Sequence, residues 1–245
     1  MKYSGSARDS SERAAPAESD RRYFLAAATA ITVLVFAGFA KTYYLRGVAG
    51  LPPLPMRLHV HGAVMTGWVL VVLVQVWLVR VRRIAWHRAL GWVGSAIAGL
   101  VVVIGSMTTL AAAAREVHRH SSEAAGQLTV LGLELTQMEL FAILAAAAIA
   151  RRREPGDHKR LMLLATLCLL PSPISRLPIS FGQNVAILLW FDFFAVALVA
   201  ADCWRIRRLH PAYGWGLALL LGGLNVAFLG AYSATLQRFA EWLVS

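Results

Sequence analysis

Four of the seven histidines in this 245-residue chain stand as two His-x-His pairs, His59 with His61 and His118 with His120. In an extended segment that spacing points both rings of a pair the same way, so the two pairs could offer four imidazoles to copper or zinc. On a helix the same spacing turns the rings about 200° apart. LPPLPMR precedes His59, so the first pair is expected to straddle an extended entry and a first helical turn. There His61 and His59 are candidate metal ligands, against a plainer reading as interfacial anchors of the second helix. His118 and His120 lie in polar sequence followed by SSE and are expected in a solvated loop.

The other three histidines share a local pattern. WHRALGW, DHKRLML and LHPAYGW each place a histidine (His87, His158, His210) just before a basic residue or a proline and then an apolar run. The structural reading is a set of amphipathic rings at a membrane interface, with Asp157 as the N-cap of the helix carrying His158. Three on one side of the membrane, on alternate helices, count somewhat against that plain reading. Deeper in the apolar sequence lie Glu139, Asp192 and Asn225. An intramembrane carboxylate costs a few kcal/mol or more, so Glu139 and Asp192 are expected to face the bundle interior, paired, protonated or wet. They serve either function or interhelical packing, with Asn225 or Gln137 as partners.

These residues need elements to position them. Fifty-eight per cent of the chain is apolar and 15% charged, too oily for a soluble domain of this length. Apolar runs near 24–46, 58–79, 90–114, 128–150, 158–176, 183–204 and 212–235 approach the ~20 residues a spanning helix needs. The expectation is an all-α, polytopic bundle of seven transmembrane helices over 23–245, preceded by a disordered cytoplasmic tail over 1–22. Basic residues crowd the tail and alternate connections: Arg80, Arg82, Arg83 and Arg88; Arg151, Arg152, Arg153, Lys159 and Arg160; Arg205, Arg207 and Arg208. By the positive-inside rule the N-terminus is cytoplasmic and the C-terminus outside. The net charge of +11 therefore signals topology, and the expected partner is the lipid bilayer, not nucleic acid. PSP at 171–173 and Pro178 predict a break in the outer end of the fifth helix. Cys168 and Cys203 fall within helices and suit packing better than a disulfide. The chain has no CxxCH for covalent haem, and no P-loop, GxGxxG, GxSxG or HExxH.

HGAVMTGW, then HRALG about 25 residues on, then DHKRLM resembles the ascorbate-dependent transmembrane cytochrome b family over roughly residues 58–170. The resemblance implies b haems held by histidine pairs from helices two apart in the chain. His87 would pair with His158 on the cytoplasmic side, with Arg88, Lys159 or Arg160 receiving propionates. His61 would need a histidine on the fourth helix, where 128–150 offers Glu134, Gln137, Met138 and Glu139 instead. The second haem would then need Met138 or a loop histidine, or is absent, so one haem b is the implied cofactor. HKRLMLLAT and the late LHPAY also look like a group of bacterial seven-helix inner-membrane proteins of unassigned activity.

Three functions follow. The first is one-electron transfer to or from a redox partner or membrane complex. The second is a proton- or ion-coupled carrier stepping through Glu134, Glu139, Asp192 and Asp202. The third is a non-catalytic membrane subunit or assembly factor.

Overall fold

A computed structural model of the chain describes residues 18–119, 124–180, 184–231 and 233–244, and every regular element among them is helical. Helix α1 (Glu18–Phe39) runs into a π-helical turn at Ala40–Tyr44 and is followed by α2 (Met56–Arg80), α3 (Ile84–His118) and α4 (Ala124–Ala150). Next come α5 (Pro155–Leu167), the single turn α6 (Pro171–Ile174) and a 3₁₀ turn at Pro178–Ser180, then α7 (Asn184–Ile206), α8 (Pro211–Ala231) and α9 (Ala234–Val244). Among the described residues six stretches are long and apolar enough to cross a membrane: α1 with its π turn, α2, α3, α4, α7 and α8. Exposed tryptophans 77, 86, 92, 190 and 204 stud their outer faces, a surface that suits a bilayer and not water.

Several boundaries differ from the sequence reading. Helix already holds at Glu18, so 18–22 leaves the expected tail, whose remainder lies outside the described residues. The last apolar run ends at Ala231 and gives way to the separate α9, whose Ala240 and Val244 pack on Ala113, Leu128 and Leu131. His118 is the final residue of α3 rather than part of a loop, because the apolar and alanine-rich run before it carries the helix through; His120 lies outside the described residues. The fifth run is broken as the prolines predict. Pro171 has no N–H to offer the Leu167 carbonyl, which is taken at 3.0 Å by the Leu170 amide instead.

The basic connections are locally specified. At the ends of α2 and α7 the chain turns through Arg82 (φ 61°) and Arg207 (φ 55°). The following amides, Arg83 and Arg208, reach back to the Leu78 and Cys203 carbonyls at 2.8 and 3.2 Å. Glycine usually fills this left-handed position. An arginine there pays some backbone strain but keeps positive charge beside a helix C-terminus.

Helix α4 is the axis of the bundle, packing against α3, α5 and α8, while α1 lies against α2 and the broken α5–α6. Its Phe141, Leu144 and Ala148 are fully buried with Val101, Leu164, Leu167, Phe191, Ala195 and Leu220. At the far end of α1, Gly38 meets Pro173: a Cβ there would lie 2.7 Å from the Pro173 Cβ and still closer to its carbonyl oxygen. Because backbone blocks the space, Gly38→Val is expected to cost about 1–3 kcal/mol, read as a lower thermal midpoint in detergent. Gly67→Val, where nothing lies within 4 Å of the added carbon, is the control that should not shift it.

Candidate cofactor site at the basic end

Glu18 of α1 pairs with Arg80 at the end of α2 at 2.8 Å, and Asp20 with Lys159 of α5 and Arg205 of α7. The N-terminal end of α1 therefore gathers the α2–α3, α4–α5 and α7–α8 connections at one end of the bundle. His87 and His158 are both there, each in the first turn of its helix. The His87 amide bonds the Arg83 carbonyl and the His158 amide that of Glu154, with Pro155 opening α5 where a missing N–H costs nothing. Glu154, not Asp157, is the residue at the N-cap, and it makes no side-chain capping bond; Asp157 pairs with Arg151 at 2.5 Å instead.

Each ring leans back on the preceding helix. His87 Nδ1 lies 3.4 Å from the Gln75 carbonyl of α2, and His158 Nδ1 lies 2.8 Å from the Ala148 carbonyl of α4. A carbonyl only accepts, so both Nδ1 atoms carry the proton and both Nε2 atoms keep a lone pair. This is the neutral tautomer that binds metals, oriented by its second nitrogen. The ring centres are 6.3 Å apart with planes at 82°. Two imidazoles on opposite sides of one metal ion need about 6 Å, from about 2 Å per metal–nitrogen bond and roughly 1 Å from each nitrogen to its ring centre. The observed distance between ring centres is close to that spacing.

The basic residues beside the pair are held in different ways. Lys159 is held by Asp20, with its ammonium 5.2 Å from the Phe24 ring centre, and Arg88 points out of the bundle. Arg160 donates through Nε to Asp202 at 2.8 Å and through a terminal nitrogen to the Gly156 carbonyl at 3.0 Å. Asp202 also accepts from Arg205 Nε at 3.1 Å, and Arg205 reaches on to Asp20. Asp202 is fully buried and Arg160 only 3% exposed. This five-residue ion network clamps α1, α5 and α7 together. The sequence signals for it were a carboxylate and a guanidinium at matching depth, near the inner ends of α7 and α5.

His210 does not join the pair. Its Nδ1 accepts the Ala212 amide at 3.3 Å, capping α8. Burial, and then nearby Arg160, hold its imidazole below the ordinary histidine value against the pull of Asp157. The 3.6 Å approach to Asp157 is therefore made by a neutral ring rather than an ion pair.

At the opposite end, α2 is already helical at Met56, so His59 and His61 cannot share a face. His59 is exposed beside Tyr43, whose hydroxyl donates to the His59 carbonyl at 3.3 Å. His61 turns inward, with an enclosed Nδ1 that has no hydrogen-bond partner. Between the two levels Trp68 of α2 meets Phe141 of α4 edge-on at 5.0 Å. The midplane carboxylates diverge. Asn225 donates to Asp192 at 3.2 Å and to the Leu221 carbonyl at 2.9 Å, the pairing expected, on the half-exposed α7–α8 face. Glu139 does not face the interior: α4 buries Gln137, Met138 and Leu140 and turns Glu139 outward. The helical period that buries its neighbours forces this. Comparison of the chain with protein-family models, curated proteins and solved structures finds no match.

Proposed function

We propose that the chain is a seven-crossing protein of the bacterial inner membrane, N-terminus cytoplasmic, that binds one haem b between His87 and His158 and relays single electrons. One observation carries the reading: both Nδ1 protons are committed to carbonyls of neighbouring helices, with the ring centres 6.3 Å apart. The seventh crossing is the broken α5–α6. It meets Asp20 through Lys159 and Gly38 through Pro173, and those α1 residues are 18 positions apart, about 27 Å along the helix. Arg80, Arg82, Arg83, Arg151, Arg152, Arg153, Arg207 and Arg208 stand at the end shared with Glu18, which supports the cytoplasmic assignment of that end. Bound haem would supply a one-electron couple. The protein's part is to present two neutral imidazoles in fixed orientation.

The carrier alternative loses its stepped acidic path. Glu134 is bonded to Thr109, Glu139 faces outward, Asp192 holds Asn225 at the periphery, and Asp202 is locked in the ion network. The test is an absorption spectrum of the detergent-purified protein, oxidised and dithionite-reduced, with a pyridine haemochrome assay. A sharp reduced α-band and about one haem per chain are expected; a colourless preparation from haem-replete cells would sink the proposal.

A further inference from the structure

We infer that the outer half of the bundle holds a site for a soft monovalent cation of the Cu(I) class, ligated by the His61 imidazole and the Met65 and Met138 thioethers. This site is separate from the histidine pair and does not depend on haem. His61 and Met65 are one helical turn apart on the same face of α2, and Met138 comes from α4. The two methionines converge on Gly105 of α3, and His61 lies beside its neighbour Ile104. There Gly105 leaves the backbone bare: a Cβ on it would lie 2.5 Å from the Met138 sulfur and 3.2 Å from the Met65 methyl carbon. The His61 ring lies beside the Ile104 carbonyl of α3, and its enclosed Nδ1 makes no hydrogen bond of standard geometry. Two thioethers filling the place of a side chain would alone be ordinary packing. Beside an enclosed imidazole nitrogen they make a soft donor set.

The ligand chemistry selects the cation. One imidazole and two thioethers are neutral, with no thiolate or carboxylate among them. Of the acids on α4, Glu139 is next to Met138 but faces outward, and Glu134, one turn further out, is held by Thr109. A divalent ion would bring two uncompensated charges into an apolar interior, whereas a monovalent ion brings one. Thioethers favour Cu(I), and magnesium and calcium want oxygen. Thioether rotamers are free enough to close on an ion without moving the helices.

The experiment is an anaerobic Cu(I) titration of the full-length protein in detergent against the colorimetric chelator bicinchoninate, with X-ray absorption on the loaded sample. One Cu(I) per chain is expected, with sulfur neighbours at about 2.3 Å. Met65→Leu and Met138→Leu conserve volume and should keep the thermal midpoint, yet each should weaken binding about 10- to 100-fold. His87→Ala should leave Cu(I) binding unchanged whether or not the wild-type protein carries haem, which separates this site from the electron-transfer proposal. Failure to compete with the chelator would overturn the inference. So would Cu(I) retention that survives both leucine variants, since the ion would then be held elsewhere, for example by exposed His59 or His118.

Discussion

His158→Ala, purified from haem-replete cells, is expected to lose most of its haem while remaining folded, and His87→Ala to do so less completely. In the proposed site each ring would supply one of two axial bonds, and neither has a nearby substitute. His210, the third histidine at this end, spends its Nδ1 on the Ala212 amide, and Arg160 and Lys159 are occupied by carboxylates. The two rings are not equally held. The His158 Nδ1 bond is 2.8 Å and that of His87 3.4 Å, so His158 is the better anchored ligand. Residual haem should therefore be lower in His158→Ala than in His87→Ala at equal haem supply. Both side chains are half-buried at the bundle end, so truncation should cost only about 1–2 kcal/mol of stability. His210→Ala is the control. It loses a helix cap worth about 1 kcal/mol but keeps the haem. The haem-to-chain ratio, read beside the thermal midpoint, separates a ligand from a packing residue. Full haem content in His158→Ala would remove the axial assignment.

Much of the architecture was legible because apolar length, Pro171 and the basic clusters act locally. Pro171 breaks α5 wherever the rest of the protein lies, and the arginines of alternate loops do gather at one end. Two kinds of feature were not legible. Helix rotation was one: Glu139 lies between Met138 and Leu140, both buried, in a run apolar on all sides. No sequence period there says which face looks outward. The cost argument that sent Glu139 inward holds for an isolated carboxylate, but α4 is rotated by Phe141, Leu144 and Ala148 packing on three helices at once. The other was partnership across the chain. Asp20 looked like part of a polar tail, yet it bonds Lys159 and Arg205 at separations of 139 and 185 residues. His87 and His158 could be matched from sequence because their helices open on the same side. Their carbonyl partners, Gln75 and Ala148, could not, since any residue type provides a carbonyl.

Asp202→Leu is expected to be the most damaging single substitution, at about 3–5 kcal/mol, because it strands Arg160 rather than because it removes attraction. Arg205 would keep Asp20, being only partly buried. Arg160, 3% exposed, would keep only the Gly156 carbonyl and the nearby faces of Phe24 and Tyr213, at 6.0 and 5.6 Å. Neither compensates a full charge in an apolar setting. The double variant Asp202→Leu, Arg160→Met removes both charges and fills similar volume, so it should recover to within about 1–2 kcal/mol of wild type. Thermal midpoints in detergent for the two singles and the double complete the cycle; a double variant as unstable as Asp202→Leu would show that the network does more than neutralise itself. The haem content of the double variant is then informative about the site. His158 is adjacent in sequence to the network but is oriented by Ala148 of α4, which the network does not touch. If α4 positions the ring, haem binding survives loss of the Arg160–Asp202 pair. If haem is lost from a stable double variant, the clamp on α1 and α7 sets the position of α5, and the ion network belongs to the cofactor site as a positioning element.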